Sequence, residues 1–178
     1  MKVKIFFLVI TIIFFQGCAL QVGVLNPKPK LNIQISDKSL RLIIDDSIKN
    51  SFSIPEYSGI KKSGVSDWHI SLKNGFDNGF NNFYKIKRNN ANSDFILKLS
   101  QAELKFVPTS VSGYNNTTVL NVEIKFKAAL LNSNDEKLNS MDGIAVSEKT
   151  INVKGREAEA VENAIENMYQ TIAIKMFK

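Results

Sequence analysis

A chain of 178 residues, 44% hydrophobic and 22% charged, is long enough to bury one core and too balanced in composition to be disordered throughout. Its formal charge of +6 falls to +4 if Lys2 and Lys4 leave with an N-terminal leader, and the remaining basic residues are scattered. Only Lys61-Lys62 and Lys85-Ile86-Lys87-Arg88 cluster, with no basic stripe interleaved with aromatics, so a nucleic-acid partner is not expected. One cysteine and one histidine exclude an internal disulfide and, between them, a zinc site.

The N-terminus has the layout of an export signal. Met1-Lys2-Val3-Lys4 is a short basic start, Ile5 to Phe15 is uncharged with only Thr11 polar, and Gln16-Gly17 supplies a small residue before Cys18. Eleven residues of helix rise about 16 Å, half of a ~30 Å hydrocarbon core, which disfavours a spanning anchor. Gly17-Cys18 at the end of this run resembles the lipobox of bacterial lipoproteins, although Phe15 and Gln16 stand where Leu and Ser or Ala are usual. The resemblance implies cleavage of residues 1–17 and acylation of the Cys18 thiol. Acyl chains contribute about 0.8 kcal/mol per buried CH₂, and more than one chain makes anchoring stable. In such lipoproteins an Asp after the Cys signals retention in the inner membrane. Ala19 stands there instead, implying the outer membrane, facing the periplasm or, alternatively, the cell surface.

Residues 18–30 read as a lipidated, flexible tether, because Pro27 and Pro29 bar regular helix and favour extended backbone. The folded domain is then expected over 31–178. Leu31, Ile33 and Ile35 alternate as a first strand, and Leu40–Ile44 forms a second. Asn50–Val65 is loop-like with a short strand at Ser51–Ile54. Ser66 or Asp67 can cap a helix whose apolar face is Trp68, Leu72, Phe76, Phe80 and Phe83, weakened by Gly75 and Gly79. Phe95, Leu97 and Leu99 alternate on one parity, whereas Ala102, Leu104 and Phe106 continue on the other, which predicts a bulge near Ser100–Gln101. Pro108–Asn116 reads as a connection, Val119–Leu131 as the clearest strand, Asn132–Asp135 as a turn, and Gly143–Val153 as a last strand. A helix follows Gly155, with acids in its first turns and Lys175 and Lys178 at its end. Its stripe runs through Ala158, Val161, Ile165, Met168 and Ile172. The order β-β-α-β-β-β-α predicts an α+β fold: a two-layer sandwich with a mostly antiparallel sheet and two amphipathic helices on one face.

No residue set points to an enzyme. There is no G-x-S-x-G element, and His69 beside Trp68 has no catalytic company. Asp45-Asp46 are adjacent on extended backbone, so their side chains diverge and read as turn residues. Gly75–Gly79 lacks the Lys-Ser/Thr of a phosphate loop. No cofactor or metal is expected. Trp68, Phe76, Phe80 and Phe83 read first as core and second as the wall of a ligand or partner groove.

A Gly-Cys lipobox, a proline-containing lead, an early strand, a helix, a long hairpin and a final helix resemble in layout the small outer-membrane lipoproteins of the YajG-like and LptE-like kinds. The resemblance implies a non-enzymatic accessory or scaffold role in envelope assembly or transport, with the membrane (through the anchor) and an envelope protein as partners. The alternative is a module that binds lipid or a cell-wall fragment.

Overall fold

Apolar side chains alternate from Phe95 to Leu130, and this alternation is what the centre of the fold is made of. The computed structural model describes residues 20–57, 63–88, 92–111, 117–152 and 154–177; the leader and Cys18 lie outside them. In chain order the elements are β1 (Leu20–Val22), β2 (Ser39–Ile44), β3 (Phe52–Ile54), β4 (Ser63–Val65), α1 (Trp68–Phe80), β5 (Lys85–Ile86), β6 (Phe95–Val111), β7 (Thr117–Asn132), β8 (Lys137–Val146) and α2 (Glu157–Met176). A five-stranded sheet runs β5-β2-β6-β7-β8, and a small sheet runs β1-β4-β3.

The fold is α+β as expected, but both sheets are mixed rather than mostly antiparallel. β2 runs parallel to both β5 and β6, and β1 runs parallel to β4. The physical reason is the long connection from β2 to β6. A parallel pair needs a crossover, and this one carries α1. The β6–β7 hairpin is antiparallel, and its register shifts between Leu99 and Gln101, the bulge that the change of parity predicts. That shift lets Leu97, Leu99, Ala102 and Leu104 share one buried face with Leu120, Val122, Ile124, Phe126, Ala128 and Leu130 of β7. β6 also continues through Pro108, which the sequence assigns to a connection. Proline is tolerated there because β2 accompanies β6 only as far as Leu99, so no neighbour on that side needs its missing N–H.

The two helices pack on each other and on this face. Phe80 meets Tyr169 edge-on, with ring centroids 6.1 Å apart, and the Tyr169 hydroxyl donates to the Leu72 carbonyl at 2.7 Å. Complete burial holds the Tyr169 phenol well above its ordinary range, so it stays a neutral donor. A second buried polar pair joins Tyr57 to Glu157, whose other oxygen accepts from the Gly155 amide at 2.7 Å. The cap of α1 comes from elsewhere than Ser66 or Asp67: Asn50 accepts from the Trp68 amide on its carbonyl and from the His69 amide on its side chain. Asp67 is left-handed at φ 54° and makes no cap.

Residues 20–36 differ most from expectation. Instead of a free tether followed by a strand, β1 pairs with β4, and the chain then lies extended across both helices. Leu25 donates to Ser71 Oγ at 3.0 Å, and the Asn74 and Asn78 amides donate to the carbonyls of Leu25 and Pro27. From α2, Glu162 accepts the Asn26 amide at 2.9 Å and Glu166 the Lys28 amide at 2.8 Å. Pro27 and Pro29 have no amide to satisfy. Between Leu25 and Pro29 every backbone donor is thus either bonded to a helix side chain or absent. A β-carbon at Gly75 would stand 3.3 Å from Pro27 and 2.9 Å from Ile165, and one at Gly79 would stand 3.2 Å from Pro29. The two glycines that weaken the helix by propensity are the floor on which the prolines rest. Leu31 and Ile33 follow as half-buried residues outside any ladder, while Ile35 is exposed.

The start of β2 is fastened to the start of β6 by Asp94. Its carboxylate accepts from the Ser39 amide at 2.8 Å and hydroxyl at 2.7 Å, while Ser39 Oγ accepts the Asp94 amide. The Ser39 amide first, then its hydroxyl, lower the Asp94 pKa.

Two predictions follow from these contacts. Gly75→Val should cost about 1–3 kcal/mol in denaturant unfolding, because Ile165, Tyr169 and Pro27 cannot all retreat. It should also open the backbone near residues 25–31 to limited proteolysis. Asp94 has a depressed folded-state pKa, so its contribution is present above the ordinary carboxylate range and is lost as pH falls through the lower folded value. Melting temperature followed below about pH 4 should therefore fall less steeply in Asp94→Asn than in the parent.

Candidate functional site: the open sheet face and its outer edge

The aromatic residues singled out in sequence do not line one groove together, although Phe76 borders the cleft between β2 and α1. Trp68, Phe76 and Phe80 are fully buried. Trp68 Nε1 donates to the Ala102 carbonyl at 2.9 Å beside the bulge, and Phe76 and Phe80 stack near Tyr169. Phe83 is half-buried, and its carbonyl accepts from the Ser36 amide. His69 Nε2 lies 2.6 Å from the Ile48 carbonyl, a structural contact. Asp45 accepts from the hydroxyl and amide of Ser47, which lower its pKa and close the turn expected there. Cys18 lies outside the described residues. Among the described residues, no group of three or more His, Cys, Asp or Glu side chains could hold a metal ion, and no helix is long and apolar enough to cross a membrane.

What the fold leaves exposed is the other face of the five-stranded sheet. Strand alternation sends every second residue of β6, β7 and β8 away from the helices. Across β6 and β7, Glu103 stands opposite Lys125 and Lys105 opposite Glu123; across β7 and β8, Lys127 stands opposite Asp142. Charges of opposite sign in facing positions keep this surface solvated without strong net sign. The pattern changes at β8, the end strand. Ile144, 60% exposed, stands opposite Lys125, and Val146, 48% exposed, opposite Glu123. Leu138, 53% exposed, lies at the register shift near the start of the strand.

The backbone of β8 is also free along much of its outer side. Ser147 donates inward to the Val122 carbonyl at 2.8 Å, so alternation turns the amides and carbonyls of Ile144 and Asp142 outward. Among the described residues no strand pairs with that side. The ends are blunted: Asn167 donates to the Val146 carbonyl at 2.8 Å, and the Ser140 amide donates to Asn139 at 2.8 Å. The middle of an aliphatic end strand is left open, which is a template for pairing with another chain.

The last strand, expected over Gly143–Val153, lies earlier, at Lys137–Val146, and its apolar members Ile144 and Val146 face outward. The inward positions are instead Gly143 and Ala145. A β-carbon at Gly143 would stand 3.1 Å from Phe126, so the large ring on β7 takes the room and the small residues of β8 face it. Two small residues alternating with two exposed aliphatics was the signal available.

No protein-family model matches the chain, and no curated protein matches it either. Solved structures do. A crystal structure of a Xanthomonas campestris protein of family DUF330 superposes with a TM-score of 0.55 at 17% identity, over 87% of this chain and 91% of that one. A solution structure of an uncharacterized lipoprotein B from Nitrosomonas europaea gives 0.51 at 10% identity, over 81% and 86%. A minor lipoprotein from Acinetobacter baumannii gives 0.44 at 12% identity, over 77% and 90%. The chain shares the fold of the first two.

The geometry of the edge is checked by amide hydrogen exchange. The Asp142 and Ile144 amides should exchange fast while the intervening Gly143 amide is protected, and Ile144→Lys should leave unfolding free energy within about 0.5 kcal/mol of the parent.

Proposed function

We propose that this protein is a bacterial envelope lipoprotein, cleaved before Cys18 and acylated there, that serves as a non-enzymatic scaffold for an envelope protein. The observation that carries the reading is the position of the only cysteine. It ends an apolar leader and follows a glycine, where the lipidation chemistry requires it, and it precedes β1 by two residues. The Nitrosomonas protein of similar fold is itself described as a lipoprotein, which supports this reading.

The anchor and the fold then work together. Two residues span about 7 Å at most. With β1 paired to β4 and residues 25–29 held against both helices, an acylated Cys18 keeps the domain against the headgroups instead of letting it range 35–40 Å away. The helices cover one face of the five-stranded sheet, completing a two-layer body, and the outer edge at β8 offers itself to a neighbour in the same membrane. Ala19 in place of Asp favours the outer membrane, with the domain facing the periplasm.

Cys18→Ala should abolish incorporation of labelled palmitate and leave an uncleaved or soluble species on fractionation; unchanged partition into the membrane would overturn the anchor. A photo-crosslinking residue at Ile144 should capture one reproducible envelope protein in cells, while the same residue at exposed Lys28, on the stretch that crosses the helices, should not.

A further inference from the structure

The opposite edge of the same sheet carries a second open segment, with different chemistry. β5 is only two residues long and accompanies β2 no further than Leu40, where the Lys87 amide donates to the Leu40 carbonyl at 3.0 Å. The Asp45 amide donates to Leu99 of β6, so odd-numbered residues of β2 face β6 and even-numbered ones face outward. The amides and carbonyls of Leu42 and Ile44 therefore point away from the sheet. Among the described residues no strand meets them.

A cleft of about 370 Å³ lies along this segment. Its inner wall is β2 from Arg41 to Ile44, its outer wall is α1, and Lys87 and Arg88 close one end. Because the cleft follows the strand edge, both faces of β2 reach it: Arg41 and Ile43 from the open face, Leu42 and Ile44 from the helix-covered face. Asp77 is the one acid in the lining, and Arg88 engages it at 3.4 Å. Arg41, Lys73 and Lys87 are left in excess, and the Arg41 Nε is buried without a hydrogen-bond partner.

We propose that this cleft binds an extended acidic peptide segment of a partner protein, which adds as a strand to β2 between the sheet and α1. The chemistry of the walls favours a peptide over other anions. An acyl chain would satisfy Ile70 and Phe76 but leave the outward amides and carbonyls of Leu42 and Ile44 unpaired, at a cost that grows as water is excluded. A free phosphate would meet the cations and none of those carbonyls. An extended peptide supplies alternating donors and acceptors to β2, and its side chains alternate to both sides. That matches a cleft that wraps the edge. Acidic side chains meet Arg41, Lys73 and Lys87, and charge of this kind steers the encounter and makes it salt-dependent.

The test uses the purified full chain in detergent and a fluorescein-labelled peptide alternating glutamate with valine. Anisotropy should show binding at least tenfold tighter than for the lysine–valine counterpart, weakened by added salt. The double variant Lys73→Glu, Lys87→Glu, exposed at both positions, should lose tenfold or more with an unchanged melting temperature. Backbone N-methylation of the peptide should abolish binding, and the Leu42 and Ile44 amides should gain protection from exchange in the complex. Equal affinity for both peptides, indifference to N-methylation, or no protection at those amides would overturn the proposal. So would displacement of the peptide at equal concentration by inorganic phosphate or by short-chain phosphatidylglycerol, which would make the cleft a small-anion or headgroup site.

Discussion

Pro27 and Pro29 resting on Gly75 and Gly79 is the contact from which the rest of the arrangement takes its geometry. It sets how closely residues 25–29 approach α1, and through Glu162 and Glu166 it couples that segment to α2 as well. The two helices, already in contact through Phe80, Leu72 and Tyr169, are bridged a second time by one extended stretch of chain. At buried Leu25 an unpaired amide would cost about 1–3 kcal/mol, which its bond to Ser71 Oγ avoids. Here proline removes alternate donors and glutamate takes the others. The same device makes the N-terminal end of the domain stiff. If the chain is held at Cys18 as proposed, that stiffness also orients the domain.

Orientation matters because the sheet has two unlike edges. At β8 the exposed groups are aliphatic, and the neighbouring charges on the open face balance across the strands. At β2 the exposed backbone lies beside cations that outnumber the acid. Edge strands in soluble proteins are ordinarily blunted by charge, proline or a covering element. This fold blunts only the ends of β8, and at β2 it uses a two-residue strand that stops short. Both choices leave only a few residues of unpaired ladder among the described residues, too few for uncontrolled association.

Much of this was legible in the residues, and the failures have a common cause. The bulge after Leu99, the turn at Asp45, the β7 alternation and the α2 stripe rest on local periodicity, and each appears where the periodicity puts it. What local pattern could not convey was which long-range partner a segment meets. Pro27 and Pro29 signal extended backbone correctly, but extended backbone is equally a tether or a strap, and only the glycines 48 and 50 residues later distinguish them. Pro108 signals an interruption, yet β6 runs on because the neighbouring strand has already ended. The parallel pairing of β2 is likewise a property of its crossover and not of its six residues.

The candidate sites follow the same logic. The aromatic stripe from Trp68 to Phe80 was the most conspicuous feature of the sequence, and it is buried because a wide apolar helix face is first a packing surface. Ile144 and Val146 were inconspicuous because they alternate as a core strand should. The positions that decide their exposure are Gly143 and Ala145, which yield the interior to Phe126. A strand whose small residues face inward has spent its burial on a neighbour's side chain, and its own large residues are then available outward. In this fold the smallest inward residues, not the largest apolar ones, mark where aliphatic surface is left facing solvent.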